Sequence, residues 1–192
     1  MQQTIYVPGR SIYDGILLMY EIMCGYEKGA RKPRCALEID IMKAYDNVCW
    51  DFLWVVIKVN GSLQSHFKST RGLRQGNPLS PYLFILVMEY FTRMLQAQSF
   101  FDNNPLCKEI GSMNVSFDDD LFVLNVPTSS SMRLIRNVLK RFGNVSGLHP
   151  NLSKSTSYSA GVPDQEVRKH SDILGIPISS LLVRSRLVTA GY

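Results

Sequence analysis

Three consecutive aspartates, at positions 118, 119 and 120, have the types and spacing that most directly suggest chemistry. They separate two β-prone runs, residues 114–117 and 121–124, which predicts a hairpin with carboxylates at its tip. Acidic residues are also common in ordinary turns, because they accept local backbone hydrogen bonds. Three like charges at one edge nevertheless repel one another and cost stability unless a cation binds there.

A fourth aspartate, Asp40, ends another short β-prone run, residues 35–40 (CALEID). If this strand and the hairpin were neighbours in one sheet, Asp40 and the hairpin tip would form one cluster of carboxylate oxygens. Such a cluster suits a pair of Mg²⁺ ions, and two ions held side by side support in-line phosphoryl transfer.

The elements that would position these carboxylates can be predicted from hydrophobic spacing and breaker residues. Helices are predicted from Ser11 to just before Gly25, over residues 42–53, from about Pro81 to Ala97 and over residues 131–142. A second hairpin is predicted over residues 55–59 and 63–68, joined at Asn60-Gly61, and is followed by a basic loop at 71–76.

Composition restricts the class of protein. The 192 residues are 45% hydrophobic and 19% charged, which excludes a disordered chain or a coiled coil, and the net charge of +5 favours a polyanionic partner. No apolar run approaches the roughly 18 residues of a membrane span. The start of the chain lacks the apolar centre of a signal peptide. We therefore expect a soluble, intracellular, non-secreted protein with no membrane partner, for which the nucleus is one candidate compartment.

Zinc chemistry is not expected. The four cysteines have no CxxC or Cys/His spacing, so we interpret them as reduced thiols. The three histidines, His66, His149 and His170, lack partners at ligand spacing and are expected on the surface.

Five segments, in order along the chain, resemble one protein family. Residues 36–46 (ALEIDIMKAYD), 71–81 (RGLRQGNPLSP) and 117–120 (FDDD) are similar to three signature motifs of reverse transcriptases. They look like those of the non-LTR, LINE-type retrotransposon polymerases that are common in plant genomes. Residues 6–12 (YVPGRSI) and 146–155 (SGLHPNLSKS) resemble flanking segments of the same family.

The resemblance implies an α+β fold, with a polymerase palm-like antiparallel sheet, helices packed on one face, part of the fingers and no thumb. Residues 1–192 would form a single incomplete reverse transcriptase domain, in which 162–192 are poorly assigned. The implied reaction is RNA-directed DNA synthesis. Its implied partners are an RNA template, a DNA primer and a dNTP, and its cofactors two Mg²⁺ or Mn²⁺ ions. The oligomeric state is left open.

The resemblance also assigns roles at the acidic cluster. Asp40 and Asp119 match the metal-binding aspartates, and Asp120 matches the other hairpin carboxylate. Lys154 matches a lysine near the leaving pyrophosphate, where a cation or acid stabilises developing charge. From residue type alone, Lys154 would be interpreted as a solvated loop lysine.

Nucleotide and template contacts are implied elsewhere. Tyr45 matches the aromatic residue that crowds a ribose 2′-OH, and Gln75 and Gly76 match the loop that packs against nucleotide and template. Without the resemblance, Tyr45 would be interpreted as an ordinary packed aromatic. Phosphate contacts are implied for three arginines, Arg10, Arg71 and Arg74, although a solvated basic turn is an alternative for the loop.

Three departures from the family pattern indicate a degenerate, internally deleted element. Asp118 stands where a small residue is usual, and Asn77 stands where aspartate is common. The stretch between Asp40 and Gln75 is shorter than in the family, and we place the break between Leu53 and Val55. Two functions therefore stay open beside a fold without activity: a two-metal polymerase and a catalytically inactive nucleic-acid-binding remnant.

Overall fold

The structure is a computed structural model that describes residues 33–58, 71–98, 114–117 and 120–179. The helix predicted from Ser11, the strand at 63–68 and Asp118-Asp119 lie outside these ranges. The elements, in chain order, are β1 (Arg34–Asp40), α1 (Ala44–Asn47), α2 (Trp50–Lys58), α3 (Ser80–Gln96), β2 (Asn114–Phe117), β3 (Asp120–Asn125), α4 (Ser129–Ser146), β4 (Thr156–Ala160) and α5 (Asp164–Leu174).

The four strands form one antiparallel sheet in the order β2-β3-β1-β4. β1 is therefore an inner strand that pairs on both sides. The predicted pairing of residues 114–117 with 121–124 is confirmed, because Val115 lies opposite Phe122. The predicted α+β class with an antiparallel sheet is confirmed as well.

One face of the sheet carries the core. Alternate residues of β1, among them Leu37 and Ile39, are fully buried in a cluster with apolar residues of α3 and α4. Phe91 of α3 and Phe142 of α4 are fully buried and meet edge to face, with ring centroids 5.1 Å apart. Each such side chain contributes about 1.5–3 kcal/mol of burial free energy, so the helices are held firmly on this face.

The fourth helix has defined ends. The Thr128 hydroxyl accepts a hydrogen bond from the Ser131 amide, and the Ser131 hydroxyl accepts one from the Thr128 amide. This reciprocal pair satisfies two amide groups at the start of α4. Gly147 ends the helix with a φ of 82°, a conformation that glycine adopts without strain.

Two predictions between β1 and the basic loop are wrong. The single helix predicted over 42–53 is two helices, because Val48 and Cys49 bond elsewhere: the Val48 carbonyl accepts from Gly72 N, and Cys49 N donates to Ser146 O.

Residues 55–58, predicted as strand, are the last turn of α2. β-branched residues favour strands only weakly, and here packing against α3 and α4 decides. The proposed break between Leu53 and Val55 therefore lies within a continuous helix.

The region after Gly147, where sequence signals are weak, completes the sheet and the helical layer. α5 packs on α4, and the Arg136 guanidinium donates to the Ile173 carbonyl at 2.7 Å. Ile178 forms a bridge with Ser157 of β4. Among the helices of the described ranges, none combines the length and hydropathy that a membrane span requires.

Candidate functional site

Asp40 is the last residue of β1, and its backbone lies opposite that of Asp120, the first residue of β3. The alternation along β1 puts Leu37 and Ile39 in the core, so Asp40 belongs to the face turned away from the helices. Residues paired in this way generally have Cβ atoms about 4.5–5.5 Å apart. The predicted proximity of these two positions is thus present in the backbone, while Asp119 lies outside the described residues.

A tight turn, residues 151–155, is bonded to the end of β1. The Asn151 amide donates to the Asp40 carbonyl at 2.8 Å, and the Asp40 amide donates to Ser155 Oγ at 3.2 Å. Ser155 Oγ in turn donates to the Asn151 carbonyl at 2.8 Å, and the Ser155 side chain is fully buried. The backbone at Asp40 is therefore fixed from both its amide and its carbonyl.

Lys154 lies on this same turn, and its amide donates to the Asn151 carbonyl at 3.1 Å. Its side chain is exposed, and no carboxylate in the described part of the chain forms an ion pair with it. The turn thus brings the backbone of Lys154 close to Asp40, although the two residues are 114 positions apart in sequence. The Lys154 ammonium group forms no ion pair within the described residues.

A pocket of about 430 Å³ lies between α1, the basic loop and the start of α3. It contains the three residues for which nucleotide contacts were predicted, since its lining is Tyr45, Gln75, Gly76, Asn77, Pro78, Ser80 and Pro81. The Tyr45 ring stacks on Phe84 of α3, with centroids 5.0 Å apart and planes 23° from parallel. Tyr45 is half-buried, so it both packs and lines the pocket.

Backbone hydrogen bonds hold the basic loop against α1 and α2. Leu73 N donates to the Tyr45 carbonyl at 2.6 Å, and Trp50 Nε1 donates to the Gly72 carbonyl at 2.9 Å. Gly72 has a φ of 89°, and a Cβ there would lie 3.1 Å from the Asp46 carbonyl oxygen. Glycine at this position is therefore what allows the loop to approach α1 and deliver Gln75 to the pocket.

The start of α3 forms the opposite wall of the pocket. Asn77 Oδ1 accepts from Leu79 N at 3.0 Å, and Ser80 Oγ donates to the Arg74 carbonyl at 2.7 Å. Sequence reasoning treated Asn77 only as a lost charge and did not include Ser80. An Asn two residues before the last position ahead of a helix is typical of an Asx turn, a signal that could have identified Asn77.

The predicted arginines are only partly within the described residues. Arg71 and Arg74 are exposed on the basic loop, and Arg71 pairs its backbone with Cys49. Both precede the residues of this loop that line the pocket, and neither lines it. Their contacts with phosphates stay a prediction. Arg10 lies outside the described residues.

The register of β1 and β3 brings two carboxyl-bearing residues, Asp40 and Asp120, to the same end of the sheet, and carboxylate oxygens are ligands that hard divalent cations take. Like charges directly opposite one another on paired strands destabilise a sheet, and no side chain of the described residues donates to the Asp40 carboxylate. A hard cation with oxygen ligands removes that cost. Within residues 33–58, 71–98, 114–117 and 120–179 no group of three metal-binding side chains occurs.

Two further titratable residues have contacts of their own. Glu38 shares the face of Asp40, and its Oε2 accepts from the Tyr158 hydroxyl at 2.7 Å. The prediction that His170 lies on the surface is wrong. Only 3% of its surface is exposed, because α5 packs on α4. Its nearest carboxylate is that of Glu166, at 3.7 Å.

Comparison with known proteins identifies the family. The family model "Reverse transcriptase (RNA-dependent DNA polymerase)" matches residues 1–178. An uncharacterized 149 kDa protein of transposon TX1 from Xenopus laevis is 27% identical over 118 residues, which are 49% of this chain and 9% of that protein. An uncharacterized mitochondrial protein of Arabidopsis thaliana is 55% identical over 42 residues, 22% of this chain and 33% of that protein.

Two solved structures share the fold. Telomerase from Candida albicans, in complex with a fragment of telomeric RNA, superposes with a TM-score of 0.55 at 13% identity, over 80% of this chain and 31% of that one. Apo telomerase from Candida tropicalis gives a TM-score of 0.52 at 11% identity, over 80% and 36%. The palm-like sheet is thereby confirmed, and the family match together with the transposon relative shows that this chain belongs to the reverse transcriptase family, as the LINE-type motifs indicated.

Proposed function

We propose that this chain carries a two-metal site for RNA-directed DNA synthesis, formed by Asp40, Asp119 and Asp120. One observation carries the proposal: the register that sets Asp40 opposite Asp120 on β1 and β3. The pocket that contains Tyr45 and Gln75 adjoins this strand end through the short connection from β1 to α1, which supports a nucleotide site next to the carboxylates.

Reverse transcriptases use divalent metal ions and copy an RNA template, and we propose Mg²⁺ as the ion here. When bound, the ions would activate the primer 3′-hydroxyl and neutralise charge on the phosphates. The primer 3′-oxygen would lose its proton to water and form a bond to the α-phosphorus of the dNTP. The bond from that phosphorus to the bridging oxygen would break, and pyrophosphate would leave. Asp40 and the hairpin aspartates would hold the ions, and the Lys154 ammonium would offset charge on the departing pyrophosphate.

The pocket residues orient the nucleotide. The Tyr45 ring, fixed by its stacking on Phe84, would contact the sugar and disfavour a 2′-hydroxyl. Gln75 and Gly76 would contact the base pair, because Gly76 has open space around it and no Cβ to block the approach. Arg71, Arg74 and Arg10 would contact phosphates of template and primer.

Primer extension on an RNA template with a DNA primer, in Mg²⁺ and in Mn²⁺, tests the proposal. We expect dNTP addition by the 192-residue chain and its loss in Asp40→Asn, with Asp51→Asn, an exposed aspartate of α2, as the matched control. Addition that survives Asp40→Asn would overturn the assignment of the site.

The alternative, an inactive nucleic-acid-binding remnant, gives a different result. It predicts that the chain retains template–primer without adding nucleotides. It also predicts that Mn²⁺–dNTP binding, measured by electron paramagnetic resonance, is the same in wild type and Asp40→Asn.

Asp118→Ala tests whether the extra aspartate lowers activity. If the extra charge competes for the ions, this change raises extension by at least about tenfold, or about 1.4 kcal/mol.

A further inference from the structure

The outward face of α4 carries a row of cations on the far side of the molecule from Asp40. The exposed residues of this helix recur at three and four positions and include four basic residues: Arg133, Arg136, Lys140 and Arg141. Asn137 and Asn144 lie on the same face, and the other two exposed residues of the helix, Ser130 and Val145, lie toward its ends. We call the four basic residues and the two asparagines the basic stripe.

The stripe is uniform in charge. α4 contains no Asp or Glu along its 18 residues. None of the ion pairs in the described part of the chain includes a residue of the stripe. Arg136 donates to the Ile173 carbonyl, a contact that fixes the side chain without cancelling its charge. Four unneutralised cations on a rigid helix create a positive potential that attracts a polyanion.

We propose that the basic stripe binds the phosphate backbone of a duplex segment of RNA, outside the site of DNA synthesis. At 1.5 Å per residue, the stripe from Arg133 to Asn144 extends about 16 Å. Cations four residues apart, such as Arg136 and Lys140, are separated by about 6 Å along the helix, a spacing at which each can meet a different phosphate.

The chemistry of the stripe selects a duplex over a single strand. Proteins that hold single-stranded nucleic acid stack its bases on aromatic side chains, and the stripe contains Arg, Lys and Asn alone. Arg and Lys contact phosphates, and Asn contributes hydrogen bonds to phosphate and sugar oxygens. Double-stranded RNA is recognised largely through such backbone and 2′-hydroxyl contacts.

Location separates the stripe from the proposed catalytic site. Asp40 belongs to the sheet face turned away from the helices, whereas the stripe lies on the outer side of α4, beyond the core. The diameter of α4 by itself, about 10–12 Å, separates the stripe from the sheet that carries Asp40. One phosphate group cannot contact both places, so the stripe would hold a distant part of the nucleic acid. The choice of RNA rests on the proposed function, in which the template is RNA.

Fluorescence anisotropy with a labelled RNA duplex of about 16 base pairs tests the proposal. The triple variant Arg133→Ala, Lys140→Ala, Arg141→Ala keeps Arg136, which contacts α5. We expect it to bind at least about tenfold more weakly at 0.15 M salt. The slope of log K against log salt concentration should fall by about 2 to 3, since three phosphate contacts are lost.

A second triple variant, Arg93→Ala, Arg168→Ala, Lys169→Ala, removes the same charge from exposed positions elsewhere. It should bind the duplex within about twofold of wild type. Equal losses in the two triple variants would overturn the proposal, because net charge alone would then explain binding. The exchange of Arg133 and Arg141 for Lys, with Lys140→Arg, should retain binding and so excludes a folding defect.

Two further probes decide the partner. Stripe-dependent binding that is tighter to the matching DNA duplex, or to polyglutamate, would overturn the assignment to RNA. The binding assay needs neither metal nor dNTP, so its result does not depend on whether the chain extends a primer. Failure of the stripe and failure of the catalytic site are therefore separate results.

Discussion

The acidic end of β1 and the basic face of α4 are fixed in different ways. Asp40 lies where two strands and a turn meet, and both its amide and its carbonyl are hydrogen-bonded, to Ser155 and Asn151. Arg133, Lys140 and Arg141 project from a regular helix, and their positions depend on little beyond the helix itself. The first region has a single arrangement, whereas the second has several equivalent contacts.

This difference predicts different responses to mutation. Two-metal chemistry needs every ligand at once, so removal of one carboxylate should remove the function. Phosphate contacts add up one at a time, so removal of one cation should weaken binding only in part. Changes at the β1 end test whether a single substitution removes the function there. Changes near α4 test whether that side of the molecule tolerates single substitutions.

The largest effect is expected for Asp40→Asn. A metal-bound transition state is stabilised by several kcal/mol, so extension should fall about 10³-fold. Primer extension under single-turnover conditions measures this, with Asp51→Asn as the control. A loss below about tenfold would show that the β1 end is as tolerant as the stripe.

The next largest effect is expected where the two regions join. Gly147 ends α4 with a φ of 82°, and a Cβ there would collide with the Asn47 carbonyl after α1. Gly147→Ala should cost about 3 kcal/mol or more in the free energy of unfolding, as strain and a displaced backbone combine. Gly76 has a similar φ of 80° but no atom within 4 Å of the added Cβ.

Gly76→Ala should therefore cost only the strain, about 1–2 kcal/mol. Urea unfolding of both variants measures the difference. Equal costs would mean that the contact between Gly147 and the end of α1 is unimportant.

A smaller effect is expected at the turn that holds Asp40. Ser155→Ala leaves the partly buried Asp40 amide without its acceptor, which costs about 1–3 kcal/mol. Ser153 lies on the same turn but is exposed, so Ser153→Ala should cost less than about 0.5 kcal/mol. Hydrogen exchange at the Asp40 amide should rise in the first variant alone. No change there would show that the turn does not fix the strand end.

The smallest effect concerns His170 beside α4. Burial lowers the pKa of His170 below its ordinary value of 6.5, and the Glu166 carboxylate opposes this only in part. Below pH 6.5 the unfolded imidazole takes up a proton that the folded one does not, so stability falls as the pH drops. The slope is at most about 1.4 kcal/mol per pH unit, and it ends once the folded imidazole is protonated too.

Urea unfolding at pH 7.5 and 5.5 measures this dependence. His170→Phe should reduce the loss of stability between the two pH values, while His149→Gln, at an exposed position, should not. An equal loss in wild type and His170→Phe would contradict the assignment to His170.

Residue type and spacing were sufficient for the parts of the fold with strong local signals. β1, the β2–β3 pair, α3 and α4 combine clear periodicity with recognisable ends, such as Pro81 and Gly147. The second half of α2 was missed because Val55 and Val56 favour strands locally, whereas the partners that make them helical, on α3 and α4, are distant in sequence. β4 was missed because its half-polar residues become a strand only by pairing with β1.

The same contrast between local sequence signals and contacts distant in sequence holds for the candidate site. The family motifs were enough to select Tyr45, Gln75 and Gly76, which share one pocket. They did not point to Ser155, whose importance comes from hydrogen bonds to Asp40 and Asn151 rather than from its type. Nor did they point to the burial of His170, because that depends on how α5 packs on α4.

The inner position of β1 has a consequence for synthesis of the protein on the ribosome. β1 pairs with β4, and the Glu38–Tyr158 contact between them joins residues 120 positions apart. During translation β1 therefore emerges long before either neighbouring strand exists, with both edges unpaired and its apolar residues exposed. Such strands fold slowly and are prone to aggregate. We expect the nascent chain to depend on chaperones until residue 160 has left the exit tunnel.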